Sequence, residues 1–362
     1  MPDDDAPGQT GEGPEVADTY VHFRVDDPDG SLEAVRLYQE VARPRFGPEF
    51  VRFTGSDCWE LMLPRPAADR IEYLLQVTRR GGDVETGPDA ANPRRAPGPF
   101  GDKSVVEFPG YRAPTWLDHP APDGELGRIE VPAPPLEATF EVTLWTAPGH
   151  SADEPLPLLL VHDGPEYALY SGLLALLDRE TVAGLVPPLH VALLQPVDRD
   201  AEYTANPAWA ETVADHLLPA VEAAVAVGEH PVRIGLGASL GALAMLHLHR
   251  TRPECLDALV LQSGSFFRAG ADDHEAWLDS FERITDFTAG LATTPAPRTV
   301  PVHLTCGTVE ENLQANRALR DVLAGQGYDV TLTENRDGHT WTAWRDTLDP
   351  VLTDMLRRVA AG

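Results

Sequence analysis

The run Val232-Arg233-Ile234-Gly235-Leu236 leads straight into Gly237-Ala238-Ser239-Leu240-Gly241 and then into a helix-forming stretch, residues 242–249. Few folds accept that order. A buried strand that turns into a helix at G-x-S-x-G holds its central serine in a strained turn, with the hydroxyl lifted out of the sheet. The flanking positions must be glycine, because a Cβ there would collide with the neighbouring backbone. Ser239 therefore reads as a nucleophile. The blander alternative is a small-residue turn that only packs helix on sheet, and the strand before and helix after the motif favour the nucleophile.

The chain around this motif has the pattern such an elbow needs. Strand-like apolar runs at 138–145, 157–162, 190–194, 258–262, 300–306 and 329–333 alternate with helix-like stretches. That alternation predicts an α/β domain with a largely parallel sheet, helices on both faces, and ligands bound at the carboxyl ends of its strands. The front half differs. Short runs rich in β-branched and aromatic residues lie between turn signals such as Asp27-Pro28-Asp29-Gly30 and Gly81-Gly82, the pattern of a β-sandwich. The expected division is a disordered terminus at 1–14, a sandwich at 15–112, a proline-rich linker at 113–136 and the α/β domain at 137–362. Within the sandwich, residues 89–101 read as an irregular surface loop.

Charge and cysteine usage narrow the functional classes. The net charge is -29, from 28 basic and 57 acidic residues, and Lys103 is the single lysine. Such a surface repels nucleic acid and anionic membranes, so neither is expected as a partner. The charges are scattered, which is the mark of a solvated acidic surface. No stretch reaches the roughly 18 apolar residues of a membrane helix, and residues 1–15 are acidic where a secretory leader would be basic and then apolar. A soluble intracellular protein is the expectation. Cys58, Cys255 and Cys306 are far apart and odd in number, so they read as buried apolar residues and predict neither disulfides nor a zinc site. No metal and no cofactor is expected.

A serine needs a base, and the base needs a carboxylate to orient it. In a fold with this elbow the order along the chain is serine, acid, histidine. Of the twelve histidines, His339 has both that order and a loop at a strand end, in Asp337-Gly338-His339-Thr340-Trp341. His249, His274 and His303 also follow Ser239 but fall within predicted helices or a strand. Glu310 and Glu311 stand just past the strand at 300–306, and Asp337 lies two residues before His339, so three carboxylates compete for the role of acid. The oxyanion hole is expected from the backbone N–H of Leu240 and a second N–H in the loop His162-Asp163-Gly164-Pro165-Glu166. Proline has no N–H, which leaves Gly164, the first choice, or Glu166. Asp163 reads as a cap on the helix that follows. Arg199 and Arg268 are candidate counter-charges for an anionic ligand, or ordinary surface residues.

The segments His162-Asp163-Gly164, Gly237-Ala238-Ser239-Leu240-Gly241-Ala242, Gln262-Ser263-Gly264-Ser265-Phe266-Phe267, Cys306-Gly307-Thr308-Val309-Glu310-Glu311-Asn312 and Gly338-His339-Thr340-Trp341 resemble the enterochelin esterase branch of the esterase D family. The front half adds Asp57-Cys58-Trp59, Asp89-Ala90-Ala91-Asn92-Pro93 and Phe108-Pro109-Gly110-Tyr111 at similar intervals. Pro165 and Ala90 depart from the pattern. The resemblance implies an α/β-hydrolase domain behind an N-terminal β-sandwich, and cytoplasmic hydrolysis of the ester bonds of a ferric catecholate trilactone siderophore, with release of iron. It also implies Ser239 as nucleophile, His339 as base and Glu310 as acid. Relatives that act on feruloyl or acetyl sugar esters or transfer acyl chains give an alternative within the same chemistry. A binding module that has kept only the fold is the alternative outside it.

Overall fold

The computed structural model describes residues 13–42, 45–118 and 124–360. The chain forms two compact units, the first comprising residues 1–112 with Arg336–Gly338 and the second residues 113–335 with 339–362. Most of the terminus expected to be disordered, residues 1–12, lies outside the described residues.

The first unit is built from two sheets. One joins β1 (Glu15–Val16), β2 (Tyr20–Asp26) and β5 (Cys58–Pro64). The other orders β4 (Phe46–Glu49), β3 (Leu32–Gln39), β6 (Arg70–Arg79), β9 (Lys103–Glu107) and β8 (Arg95–Ala96), with β7 (Val84–Gly87) also on β6. Alternate residues of both sheets meet in one core: Val21, Phe23 and Leu61 from the first, Val35, Leu37, Ile71, Tyr73 and Val106 from the second. Period-two burial is what a half-buried strand produces. The Phe23 and Tyr73 rings meet edge to face between the sheets, with centroids 5.0 Å apart. The stretch from Asp89 is less loose than its prolines suggested. Tyr73 donates to Asp89 Oδ2 at 2.7 Å, and Asn92 donates to the Val105 carbonyl at 2.9 Å, so two buried polar side chains pin the segment to the sheet.

In the second unit eight strands lie in the order β10 (Glu125–Ala133), β11 (Ala138–Thr146), β13 (His190–Leu194), β12 (Leu158–His162), β14 (Arg233–Ala238), β15 (Ala258–Gln262), β16 (Val302–Gly307) and β17 (Val330–Asn335). From β13 to β17 all neighbours are parallel, while β10–β11 and β11–β13 are antiparallel. The expected linker is corrected here. Residues 125–133 form an edge strand of the large sheet, and an edge strand is where a sheet tolerates a proline such as Pro132.

The parallel strands are buried on both faces, as parallel strands under helices are. Leu158, Leu160, Leu259 and Leu261 enter one core, and Leu159, Val161, Ala258 and Val260 the other. In β14 the residues on the first face are Gly235 and Gly237, and their lack of side chains lets the helix Leu240–Thr251 close in. A Cβ on Gly237 would lie 2.5 Å from the Gly241 carbonyl oxygen, and one on Gly235 would lie 2.9 Å from Met245 Sδ. The chain leaves β12 for β13 on one side and reaches β14 on the other. A crevice at the carboxyl ends of these strands follows from that switch.

Three histidines are held neutral by this core. Burial lowers His162, His247 and His249 from the ordinary 6.5 to about 4. The unfolded chain binds protons at these positions before the folded one does. Stability is therefore full above pH 6.5 and declines as the pH falls toward 4, by up to about 1.4 kcal/mol per pH unit for each group titrating. Urea midpoints at pH 7.5, 6 and 5 should fall in that order. A paired substitution tests the strand–helix contact. Gly237→Ala, which meets backbone, should destabilise by about 3 kcal/mol or more. Gly290→Ala, in the helix Phe281–Thr293 with open space around it, should stabilise by about 0.5–1 kcal/mol, both read from denaturant melts.

Candidate active site

Ser239 stands between β14 and the helix Leu240–Thr251 at φ 57° and ψ -123°, a region L-residues rarely occupy. Its backbone is fixed from three directions. The Ser239 N–H donates to the Gln262 carbonyl at 2.9 Å, and its own carbonyl accepts from the N–H groups of Leu243 and Ser265. Ser239 is half-buried, and its Oγ lies 3.2 Å from Ser265 Oγ. Leu240, the first residue of the helix, has an N–H that no preceding helical turn can accept. Gly164 likewise opens the helix Gly164–Tyr170 at the end of β12, in a place where a Cβ would lie 2.3 Å from Leu193 Cα. Only glycine lets the chain run that close to β13.

His339 Nδ1 is 2.7 Å from Glu310 Oε2. Glu310 lies three residues beyond the end of β16, with its side chain buried, and its second oxygen accepts from the Gly307 N–H and the Ser263 hydroxyl, both at 2.7 Å. The other two carboxylates have different partners. Glu311 Oε2 pairs with His274 Nε2 at 2.9 Å. Asp337, within the first unit, accepts from the Gly338 N–H and lies 3.5 Å from Arg70. The His339 ring stands edge-on to Trp344, centroids 5.1 Å apart, and about a third of its surface is open. An imidazole bound at Nδ1 by a carboxylate keeps Nε2 available to accept a proton, which is the arrangement of a general base.

Asp163 corrects an expectation. Its side chain makes no capping bond to the helix. It instead receives both Nε and Nη2 of Arg199 at 2.8 Å, while its own N–H donates to the Tyr203 hydroxyl at 3.1 Å. The residue sits at φ 50°, so this bidentate pair holds the turn that presents Gly164. Behind it His162 is locked as a neutral tautomer: Nδ1 donates to the Gly241 carbonyl at 3.0 Å and Nε2 accepts from Trp209 Nε1 at 3.3 Å. Arg268 pairs with Asp272 at 3.1 Å. Both arginines considered as counter-charges thus already face carboxylates.

Residues with no assigned part in the sequence reading line the same strand ends. Ser263 lies at φ 49° just past β15, and Trp344 Nε1 donates to its hydroxyl at 2.9 Å. Asn316 clamps the following residue, donating to the Gly264 carbonyl at 2.9 Å and accepting from its N–H at 3.1 Å. The Gln262-Ser263-Gly264-Ser265 run was visible as a motif, but nothing in its spacing says which side chains it meets. Among the described residues one group could share a metal ion, His274, Glu275 and Glu311, with donor atoms within 4.8 Å of one another.

Residues 141–355 match the model of the esterase family. Iron(III) enterobactin esterase from Dickeya dadantii is 27% identical over 224 residues, an alignment covering 57% of this chain and 49% of that one, so the chain spans about half the length of that relative. The crystal structure of ferric enterobactin esterase from Salmonella typhimurium superposes with a TM-score of 0.79 at 21% identity, covering 98% of both chains. Enterobactin esterase from Shigella flexneri, crystallised in the presence of enterobactin, gives 0.72 at 22%, covering 97% of this chain and 96% of that one. At such identities the likeness shows the fold.

The three carboxylates can be told apart in one experiment. Glu310→Gln should lower kcat by about 10³-fold or more, and Glu311→Gln and Asp337→Asn by less than about tenfold. Steady-state kinetics on a p-nitrophenyl ester checks the ranking.

Proposed function

Given that this chain belongs to the esterase family, we propose that it is a serine hydrolase that opens the ester bonds of an iron-loaded catecholate trilactone siderophore. Ser239 is the nucleophile, His339 the general base and Glu310 the acid that orients it. The observation that carries this reading is the 2.7 Å contact from Glu310 to His339 Nδ1, together with the strained backbone of Ser239 at the end of a parallel strand.

In the proposed reaction His339 Nε2 takes the Ser239 hydroxyl proton as Oγ attacks the ester carbonyl. The negative charge that develops on the carbonyl oxygen is met by the N–H groups of Leu240 and Gly164, and fixed dipoles of this kind need no reorganisation as the charge appears. Collapse expels the alcohol, which takes the proton back from Nε2, and leaves an acyl group on Ser239. Water, deprotonated by the same nitrogen, then releases the acid. No cofactor takes part in these steps. Iron belongs to the substrate, and hydrolysis of its ligand is what would release it.

The siderophore is favoured over a sugar ester because the enterobactin esterase likenesses extend across 97–98% of this chain, front sheets included. The same reading makes the protein cytoplasmic, with a small-molecule ester as its partner and neither nucleic acid nor membrane engaged. No helix among the described residues is long and apolar enough to cross a membrane.

Ser239→Ala should reduce kcat by about 10⁴-fold or more on every ester cleaved. The panel that decides the substrate is ferric trilactone, feruloyl sugar, acetylated sugar and short p-nitrophenyl esters. The highest kcat/KM is expected on the ferric trilactone. A feruloyl or acetyl sugar at the top would move the enzyme to the carbohydrate branch, and an undiminished Ser239→Ala would remove the nucleophile.

A further inference from the structure

Three non-glycine residues with positive φ stand at the carboxyl ends of three neighbouring strands: Asp163 after β12, Ser239 after β14 and Ser263 after β15. The first holds the loop of Gly164 and the second is the proposed nucleophile. The third has no part in the chemistry above, although its backbone carries the same kind of strain. Strain of that sort survives only where the surroundings impose it.

The surroundings of Ser263 are polar, buried and directional. Trp344 Nε1 can only donate, and it donates to Ser263 Oγ at 2.9 Å. An ionised carboxylate can only accept, so the one hydroxyl proton of Ser263 is committed to Glu310 Oε1 at 2.7 Å. Oε1 also receives the Gly307 N–H at 2.7 Å, which leaves Oε2 for His339 Nδ1 at 2.7 Å. Ser263 itself is 1% exposed. Its backbone is tied down as well, by an N–H to the Thr305 carbonyl and by Asn312 Nδ2 to its own carbonyl at 2.9 Å. The donors therefore run one way, from Trp344 to Ser263 to Glu310, and the carboxylate is turned so that a single oxygen faces the imidazole.

We infer that Ser263 is a positioning residue for the reaction, a fourth member of the Ser239, His339 and Glu310 set that fixes the rotation and the charge distribution of the Glu310 carboxylate. The inference rests on the proposed triad. It assigns a task to the left-handed backbone of Ser263, which aims Oγ at Glu310 from the neighbouring strand end. The titratable groups facing this carboxylate are His339 and Cys306, and burial, followed by Glu310 itself, pushes the Cys306 thiol well up, so it stays neutral. Glu311, next in the chain, pairs with His274, and Arg317 pairs with Glu334. A change at Ser263 is thus felt at His339 Nδ1 through the Glu310 carboxylate, while Trp344, which donates to Ser263, stands edge-on to the same ring.

Ser263→Gly is the appropriate variant, since glycine accepts φ 49° and the hydroxymethyl group is lost with its donor. On p-nitrophenyl butyrate it should lower kcat about tenfold, the value of one hydrogen bond to a charged group, with KM unchanged. The acid limb of the pH profile of kcat/KM should move to higher pH, because a carboxylate relieved of a donor attracts the imidazolium more strongly. Trp344→Phe, which removes the N–H and keeps an aromatic ring smaller than the indole, should move both quantities the same way by a smaller factor. In a Glu310→Gln background Ser263→Gly should cost nothing further, and melting curves of each variant separate folding from rate. Wild-type kcat and pH profile in Ser263→Gly, or an additive loss in the double variant, would overturn the inference. Failure of the triad reading gives a different result, Glu310→Gln at the wild-type rate, and the role of Ser263 falls with it.

Discussion

The close approach of β14 to the helix that follows it is the contact on which the second unit depends. Gly237 faces the Gly241 carbonyl across a gap that no Cβ could share, and Gly235 leaves room for Met245. Because helix and strand lie so near, the turn between them is too short to relax, and Ser239 is forced to positive φ. The same helix then supplies the Gly241 carbonyl to His162, which in turn takes the Trp209 indole. These two absent side chains therefore set the backbone of Ser239 and the packing beneath it. The site is a product of packing.

Much of this was legible in the sequence because it rests on local period and local sterics. Apolar runs alternating with helix-like stretches gave the parallel sheet, short runs rich in β-branched and aromatic residues between turn signals gave the front sheets, and G-x-S-x-G between strand and helix gave the elbow. The misreadings have a common cause. Residues 125–133 looked like linker because prolines and few apolar residues suit an exposed chain, and an edge strand of a sheet is also an exposed chain. Asp163 looked like a cap because Asp before a helix usually is one. Its partner, Arg199, stands 36 residues away, and no spacing rule reaches that far.

The long-range contacts of the site were illegible for the same reason. Ser263 meets Glu310 at a separation of 47 residues and Trp344 at 81. Whether a serine in a small-residue loop faces a carboxylate depends on its φ and on which strands are neighbours, and neither is written in the tetrapeptide. The choice among Glu310, Glu311 and Asp337 is a case of this kind. Adjacent side chains at a strand-to-helix turn diverge, so Glu310 reaches His339 while Glu311 reaches His274. Charge is a further instance. The arginines near the strand ends could be counted from the sequence, but that Arg199 and Arg268 are already paired is a property of the fold.

The left-handed backbone of Ser263 bears on how such a chain can drift over generations. The position asks for a positive φ and a hydroxyl together, and the common replacements each satisfy one demand. Glycine accepts the backbone and brings no donor, threonine brings the donor on a β-branched stem that resists the backbone, and asparagine accepts the backbone but offers an amide of different reach. A buried strand interior, by contrast, exchanges leucine, valine and isoleucine at modest cost. Sequence memory in this architecture should then be held in the few residues just past the strand ends, while the apolar strands between them are free to diverge until only their pattern persists.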